Sequence, residues 1–136
     1  MYTGETSLDV RYYETDLMGI VHHSNYIRYF EYGRVKVLDA VGLPMTKIEE
    51  SGYMMPVISI GINYKTPTKF GDQLRVVTII KELPKVSITI DTIIYNQFDQ
   101  EICNGFVKLG FIYSQSRKVT RCPQFFIDAF SHYFNK

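Results

Sequence analysis

The sequence predicts an α+β fold in which a curved antiparallel sheet wraps around one long central helix. Two observations lead to this prediction. Apolar residues recur with helical spacing between residues 24 and 41, whereas after Pro56 they alternate with polar residues as in half-buried strands. The chain has 136 residues, which is enough for one hydrophobic core and too few for two, so we expect a single domain over residues 1–136.

The first predicted elements are a strand and a helix. Apolar and polar residues alternate over residues 7–12, which predicts a strand that ends near Glu14. Ser24 is a candidate N-cap for the helix that follows. The apolar stripe of this helix consists of Tyr26, Phe30, Gly33, Val37 and Val41. Gly42 and the proline two residues later predict the end of the helix.

The second half of the chain predicts a meander of antiparallel strands. These strands span about residues 58–64, 74–83, 86–94 and 102–113, and a short helix follows over about residues 124–133. An open sheet of this kind leaves one edge strand and part of one face uncovered. A second copy of the chain would cover them, so we expect an oligomer.

The composition excludes several classes of function. Lys and Arg number 15 against 14 Asp and Glu, whereas a nucleic-acid-binding domain usually carries a strongly basic face. No apolar run approaches the ~20 residues of a membrane span, and the N-terminal residues lack the apolar core of a signal peptide. Cys103 and Cys122 show no metal-binding spacing. We therefore expect a cytoplasmic protein with two reduced thiols, no metal and no cofactor.

Reactive side chains are concentrated just before the predicted helix. Asp16, His22 and His23 lie within a few residues of one another there. The free N–H groups at the start of a helix favour negative charge, and an oxyanion forms when a thioester is attacked. Each donor aimed at such an oxyanion typically contributes about 3–4 kcal/mol. The segment is therefore a candidate acyl-transfer site, although spacing alone favours a role for Asp16 in capping a turn.

The segment VRYYETDLMGIVHHSNYIRYFEYGR, residues 10–34, resembles the signature of the 4-hydroxybenzoyl-CoA thioesterase family, and in particular its YbgC-type acyl-CoA thioesterases. The resemblance continues through PVISIGINYKTPTKFGDQL, residues 56–74, and RKVTRCP, residues 117–123. It implies the hotdog fold, in which a curved antiparallel sheet surrounds a long helix. It also implies hydrolysis of an acyl-CoA thioester to a free acid and coenzyme A.

The resemblance also implies roles for individual residues. Asp16 matches the catalytic carboxylate, either as the nucleophile or as the base for water, and these two roles stay open. His23 matches a residue whose backbone N–H polarises the thioester carbonyl, and Tyr12 matches a tyrosine of the site. Ser24 and Asn25, at the start of the predicted helix, are candidates for binding the oxyanion or orienting the substrate.

Coenzyme A carries phosphates that need cations. Residues 114–121, the basic segment, contain three positive charges and no acidic residue. We therefore predict that Arg117, Lys118 and Arg121 bind coenzyme A, with Lys65 as a weaker candidate.

Several alternatives stay open from the sequence. The domain could hydrate an enoyl thioester, or it could bind acyl-CoA without catalysis. An acyl carrier protein could replace coenzyme A, since its acidic surface would suit the basic segment. Glu31 is a rival to Asp16, because the catalytic acid of another hotdog branch is a helix glutamate. The resemblance further implies a homodimer or homotetramer, and the acyl group is not determined.

Overall fold

A five-stranded antiparallel sheet forms the body of the molecule in the computed structural model, which describes residues 1–134. In chain order the strands are β1 Tyr2–Asp9, β2 Tyr53–Met54, β3 Val57–Tyr64, β4 Gln73–Ile80, β5 Ser87–Tyr95, β6 Glu101–Gly110 and β7 Ile112–Tyr113. The helices are α1 Ser24–Ala40, α2 Met45–Glu50 and α3 Gln124–Ser131. The main sheet has the order β1-β4-β5-β6-β3, and β2 pairs with β7. The predicted α+β architecture is confirmed.

Helix α1 packs against β1, β4 and β5 and buries Tyr26, Phe30, Gly33 and Val37 of the predicted stripe, whereas Val41 is its half-buried C-cap. The closest approach is at Gly33, where an added Cβ would lie 2.7 Å from Val76 Cγ1 and 2.9 Å from Thr78 Oγ1. Glycine is therefore required here by the distance between the helix backbone and the sheet. Within residues 1–134, no helix is long and apolar enough to cross a membrane.

Three local predictions differ from the structure. The first strand ends at Asp9, and Tyr12–Glu14 form a 3₁₀ turn instead of continuing the strand. The N-cap of α1 is His23, and Ser24 is already the first residue of the helix. The predicted last strand is interrupted after Gly110, because the chain there leaves the main sheet to pair with β2. Neither α2 nor β2 was predicted.

Strand β3 forms one edge of the sheet and is paired only with β6. Its apolar side chains are unusually accessible, with exposed fractions of 55% for Val57, 57% for Ile58, 37% for Ile60 and 54% for Tyr64. In a single chain this strand thus presents both an unpaired backbone edge and apolar side chains to solvent.

Candidate active site

The loop between the 3₁₀ turn and α1 closes on itself and fixes the position of Asp16. Thr15 forms a bridge with Val21. The Asp16 N–H donates to the carbonyl of Ile20 at 2.9 Å, and the Gly19 N–H donates back to the Asp16 carbonyl at 3.0 Å. Gly19 has a φ of +79°, a backbone conformation that glycine adopts without strain. The sequence DLMG therefore folds into a tight turn that starts at the acid.

The Asp16 carboxylate is half-buried and held by one of its oxygens. Asp16 Oδ1 accepts the Met18 N–H at 2.8 Å. Within residues 1–134, no cationic side chain forms an ion pair with this carboxylate. One oxygen thus sets the orientation of the group, and the other is available to a substrate or to water.

A cavity of about 310 Å³ opens beside Asp16. His23 and Lys65 line it as well, so the structure brings together three of the residues singled out in the sequence. Tyr26 and Tyr64 also line this cavity, with ring centroids 5.2 Å apart in an edge-to-face arrangement. The cavity therefore combines an acid, an imidazole and a cation with aromatic walls.

The sequence analysis missed Tyr26 as a site residue. It was assigned only to the buried stripe of α1, and it is indeed buried. Because it lies in the first turn of the helix, however, it also reaches the cavity beside Asp16. Burial raises the pKa of Tyr26 to about 12, so its phenol stays neutral at physiological pH. Its position in the first helical turn was the signal that could have identified it.

The N-cap residue of α1, His23, is one of the residues that line the cavity. The Asn25 N–H donates to the His22 carbonyl at 3.0 Å, and the Ser24 N–H donates to His22 Nδ1 at 3.2 Å. Within residues 1–134, the His23 N–H has no hydrogen-bond acceptor. A donor of this kind at a helix N-terminus, where the helix dipole adds partial positive charge, is suited to bind an anion.

Ser24 and Asn25 are directed elsewhere, and neither lines the cavity. Ser24 Oγ lies 2.9 Å from His22 Nδ1. Asn25 is buried, and its Nδ2 donates to the carbonyl of Glu14 at 2.9 Å. Both side chains hold the start of the helix in place.

Tyr12 lies near Asp16 but outside the cavity that contains His23. It is 75% exposed, and its ring contacts Phe70 edge-to-face at 5.6 Å. Together with Leu17 it lines a second, open concavity on which Asp16 also borders. Asp16 thus separates two surface depressions, and Tyr12 belongs to the one without His23.

The basic segment lies far from Asp16 within one chain. Tyr64, which lines the cavity, pairs with Cys103 at the start of β6. The segment follows β7 and is tied to it by a bridge between Ile112 and Val119, beyond the other end of β6. The seven steps along the strand from Cys103 to Gly110 span about 23 Å at roughly 3.3 Å per residue. Arg117, Lys118 and Arg121 are exposed there and do not join the Asp16 cavity of their own chain.

Glu31 lies on the outer face of α1 and is 64% exposed. Its neighbours there are Arg28 and Tyr32, and it does not line the Asp16 cavity. Within residues 1–134, no cluster of three or more His, Cys, Asp or Glu side chains is arranged to hold a metal ion.

Comparison with known proteins defines the class of this protein. The chain belongs to the thioesterase-like superfamily, which matches it over residues 10–130. It is 35% identical over 96 residues to the putative acyl-CoA thioesterase YneP of Bacillus subtilis, covering 71% of this chain and 70% of the relative. It is 34% identical over 86 residues to the acyl-CoA thioesterase YbgC of Helicobacter pylori, covering 63% and 62%.

A solved structure extends the similarity to nearly the whole chain. The DHNA-CoA thioesterase from Staphylococcus aureus superposes with a TM-score of 0.91 at 26% identity, over 98% of this chain and 92% of that one. The resemblance to YbgC-type hotdog thioesterases is therefore confirmed, and so is the class of enzyme, a thioester hydrolase.

Proposed function

We propose that this protein hydrolyses acyl-CoA thioesters to a free carboxylic acid and coenzyme A. Asp16 is the catalytic carboxylate, and the His23 N–H binds the oxyanion. The observation that carries this proposal is that Asp16 and His23 line the same cavity, at the N-terminus of α1. The similarity to YneP and YbgC, both named acyl-CoA thioesterases, supports the substrate class.

The free oxygen of Asp16 can act in two ways. As a base, it takes a proton from a water molecule that attacks the thioester carbonyl. As a nucleophile, it attacks the carbonyl itself and forms an acyl anhydride, which water then hydrolyses. In both routes the C–S bond breaks, and the sulfur leaves as a thiolate that takes up a proton. The geometry of Asp16 suits both routes, and we propose no choice between them.

The other groups of the cavity have supporting roles. In either route the carbonyl oxygen becomes negatively charged, and the open N–H of His23 would donate to it. A donor of this kind typically lowers the barrier by about 3–4 kcal/mol. The His23 imidazole is placed to orient water or to protonate the leaving thiolate. Lys65 supplies a positive charge at the same cavity for the coenzyme.

The central test is the isosteric substitution Asp16→Asn. Its amide oxygen can still accept the Met18 N–H, so the loop should keep its structure and the melting temperature should not change. We expect the kcat for thiol release to fall at least a hundredfold. Asp39→Asn, which alters an exposed acid on the outer face of α1, is the matched control. Near-wild-type turnover by Asp16→Asn over short, medium, long and aryl acyl-CoAs would contradict the proposal.

The same screen distinguishes the alternatives left open by the sequence. One acyl chain presented on coenzyme A and on acyl carrier protein shows which carrier is preferred. Crotonyl-CoA tests for hydration of an enoyl thioester. A thermal shift caused by coenzyme A, without hydrolysis of any thioester, would identify a binding module instead of an enzyme.

We also propose that the active unit is a homodimer joined along β3. A second copy would pair with the unpaired edge of β3 and cover its exposed apolar side chains. Two copies of one edge strand related by a two-fold axis run antiparallel. The start of β3 in the partner then lies beside the end of β3 in this chain. A homotetramer of two such dimers stays a prediction.

This arrangement would complete the coenzyme site. The basic segment lies beyond the start of β3, because the Gly110 N–H donates to the Pro56 carbonyl at 2.9 Å, just before β7. The Asp16 cavity lies at the end of β3, where Tyr64 and Lys65 line it. Antiparallel pairing therefore carries the basic segment of the partner subunit toward the cavity of this chain. We propose that this segment holds the phosphates of coenzyme A there.

We retain the cytoplasm as the proposed location. Cys103 and Cys122 are free and buried. Burial raises the pKa of each thiol to about 12, so both stay protonated. Free thiols are typical of reducing compartments.

A further inference from the structure

A buried carboxylate lies next to the proposed active site, and the mechanism above does not use it. Glu14 is only 5% exposed and precedes Asp16 by two residues. Its Oε1 accepts two hydrogen bonds, from the Arg11 N–H at 2.8 Å and from the Tyr29 hydroxyl at 2.9 Å. The Arg11 guanidinium lies 3.7 Å from Oε2 and is about half exposed. The carboxylate is therefore satisfied mainly by two neutral donors.

The backbone of Glu14 makes two further bonds to the start of α1. Its carbonyl accepts the His22 N–H at 2.9 Å and Asn25 Nδ2 at 2.9 Å. Three of the five hydrogen bonds at Glu14 thus reach the segment from His22 to Tyr29, and the other two join it to the Arg11 backbone. A single residue ties the loop that carries Asp16 to the helix end that carries the oxyanion donor.

We propose that Glu14 is a positioning residue that sets the placement of Asp16 relative to the His23 N–H. The inference rests on the proposed function, because it assigns Glu14 an effect on that same site. Asp16 follows Glu14 by two residues, and His23 follows His22, whose N–H is bonded to Glu14. The Glu14 side chain holds this turn through the Arg11 N–H and the Tyr29 hydroxyl, so a shorter side chain would shift the Glu14 backbone and displace the acid relative to the donor. A misplacement of about 1 Å can cost roughly a hundredfold in rate.

The chemistry of this contact depends on length more than on charge. Burial, followed by the hydrogen bond to Glu14, raises the pKa of Tyr29, so its hydroxyl remains a donor at every physiological pH. Glutamine has an oxygen at the position of Oε1 and can accept the same two bonds. Aspartate keeps the charge but is one methylene shorter, so it cannot reach Arg11 N and Tyr29 together.

The test compares Glu14→Gln, Glu14→Asp and Glu14→Ala by steady-state thiol release, with each rate normalised to folded protein. We expect the glutamine variant to keep kcat within about threefold of wild type. The aspartate and alanine variants should lose at least twentyfold in kcat with KM within twofold, because Glu14 does not touch the substrate. Tyr29→Phe, which removes one hydroxyl, should lose at least fivefold in kcat and serves if Glu14→Ala does not fold. Glu5→Gln, at an exposed ion pair on β1, is the control for loss of charge.

Amide hydrogen exchange supplies a readout that does not depend on activity. In Glu14→Asp, the amides of Asp16 and His22 should exchange at least tenfold faster, whereas the buried amide of Leu38 in α1 should not change. A uniform increase in exchange along α1 would indicate a merely structural role and would overturn the proposal. A loss of kcat in Glu14→Gln as large as in Glu14→Asp would also overturn it. If the wild type hydrolyses no thioester, the proposed function fails, and the exchange pattern still decides whether Glu14 positions this loop.

Discussion

The two edges of the main sheet differ in the residues that they present to solvent. Along β1 the exposed positions are polar, namely Thr3, Glu5, Ser7 and Asp9, and Glu5 pairs with Arg75 at 2.8 Å. Along β3 they are mostly apolar, and Ile58 and Ile60 are open to solvent. Charges on an edge strand discourage pairing with another chain. The comparison teaches that the chain protects one edge and leaves the other suited to a partner.

The proposed active site lies on the unprotected side. Tyr64 at the end of β3, and Lys65 directly after it, line the cavity that contains Asp16. On the β1 side, by contrast, α1 packs against the face of the sheet. An added Cβ on Gly4 would lie 2.6 Å from Val37 Cγ2 of that helix. Function and assembly are thus expected on the β3 side, and stability of the single chain on the β1 side.

The largest expected effect comes from placing a charge on the apolar edge. Ile60→Asp should convert the dimer into a monomer and lower kcat/KM for acyl-CoA at least tenfold, because the partner's basic segment is then lost. Analytical ultracentrifugation and the thiol-release assay measure the two effects. Thr3→Asp on β1 is the matched control and should alter neither. A fully active dimer of Ile60→Asp would show that β3 is not the interface.

The next effect concerns the stability of the β1 side. Gly33→Ala should lower the free energy of unfolding by about 1–3 kcal/mol, because the new methyl group overlaps Val76 and Thr78 on β4. Urea unfolding measures this change, and Lys36→Ala on the exposed face of α1 should stay within about 0.5 kcal/mol. The kcat of the folded fraction should not change. An unchanged stability would mean that α1 can move away from the sheet at little cost.

Mixed dimers test whether the basic segment acts on the partner's site. Replacing Arg117, Lys118 and Arg121 together by Ala should raise KM for acyl-CoA about tenfold and leave kcat nearly unchanged. A mixed dimer combines one triple-alanine subunit with one Asp16→Asn subunit. It contains one intact site only if the basic segment reaches across the interface. We then expect about half of the wild-type activity at low substrate. If the segment serves its own chain, the activity of this mixed dimer at low substrate stays no higher than that of the triple-alanine homodimer.

The smallest expected effect is on the pH dependence of stability, through Asp72 in the loop that joins β3 to β4. Burial alone would raise the pKa of Asp72, but hydrogen bonds from Gln97, Lys69 and Thr68 outweigh it and hold that pKa below its usual value. A carboxyl whose pKa is lowered in the folded state stabilises the protein above its unfolded pKa of 3.8. This stability is lost as the pH falls through the lower, folded value. Urea unfolding at pH 7 and pH 3 should therefore show a smaller difference in Asp72→Asn than in wild type, and an equal difference would contradict the assignment.

Much of the fold follows from the sequence because it depends on local periodicity. The helical stripe predicted α1, and the alternating residues after Pro56 predicted β3, β4, β5 and β6. The predicted Ser24 cap was wrong. Ser24 Oγ lies within hydrogen-bond distance of His22 Nδ1, which also accepts the Ser24 N–H. Neither α2 nor β2 could be predicted, because β2 has only two residues and exists through its pairing with β7.

The candidate site was only partly predictable. The chain segment that carries Asp16 and His23 could be identified by its resemblance to a thioesterase signature. Tyr64 and Glu14 could not be assigned to the site, because their relevant contacts depend on how β3 and the 3₁₀ turn pack against α1. The basic segment was identified by its charge, but its distance from Asp16 follows only from the register of β6.

The sequence by itself determined helix α1, the strands β3 to β6 and the acid next to a helix N-terminus. These properties reside in neighbouring residues, whose spacing fixes which side chains share a face. Only the tertiary structure decided that Tyr26, Tyr64 and Lys65 meet Asp16 in one cavity. It also decided that Glu14 joins the loop to α1, and that β3 remains an open edge. These contacts join residues distant in sequence, so packing and strand register determine them and local patterns do not.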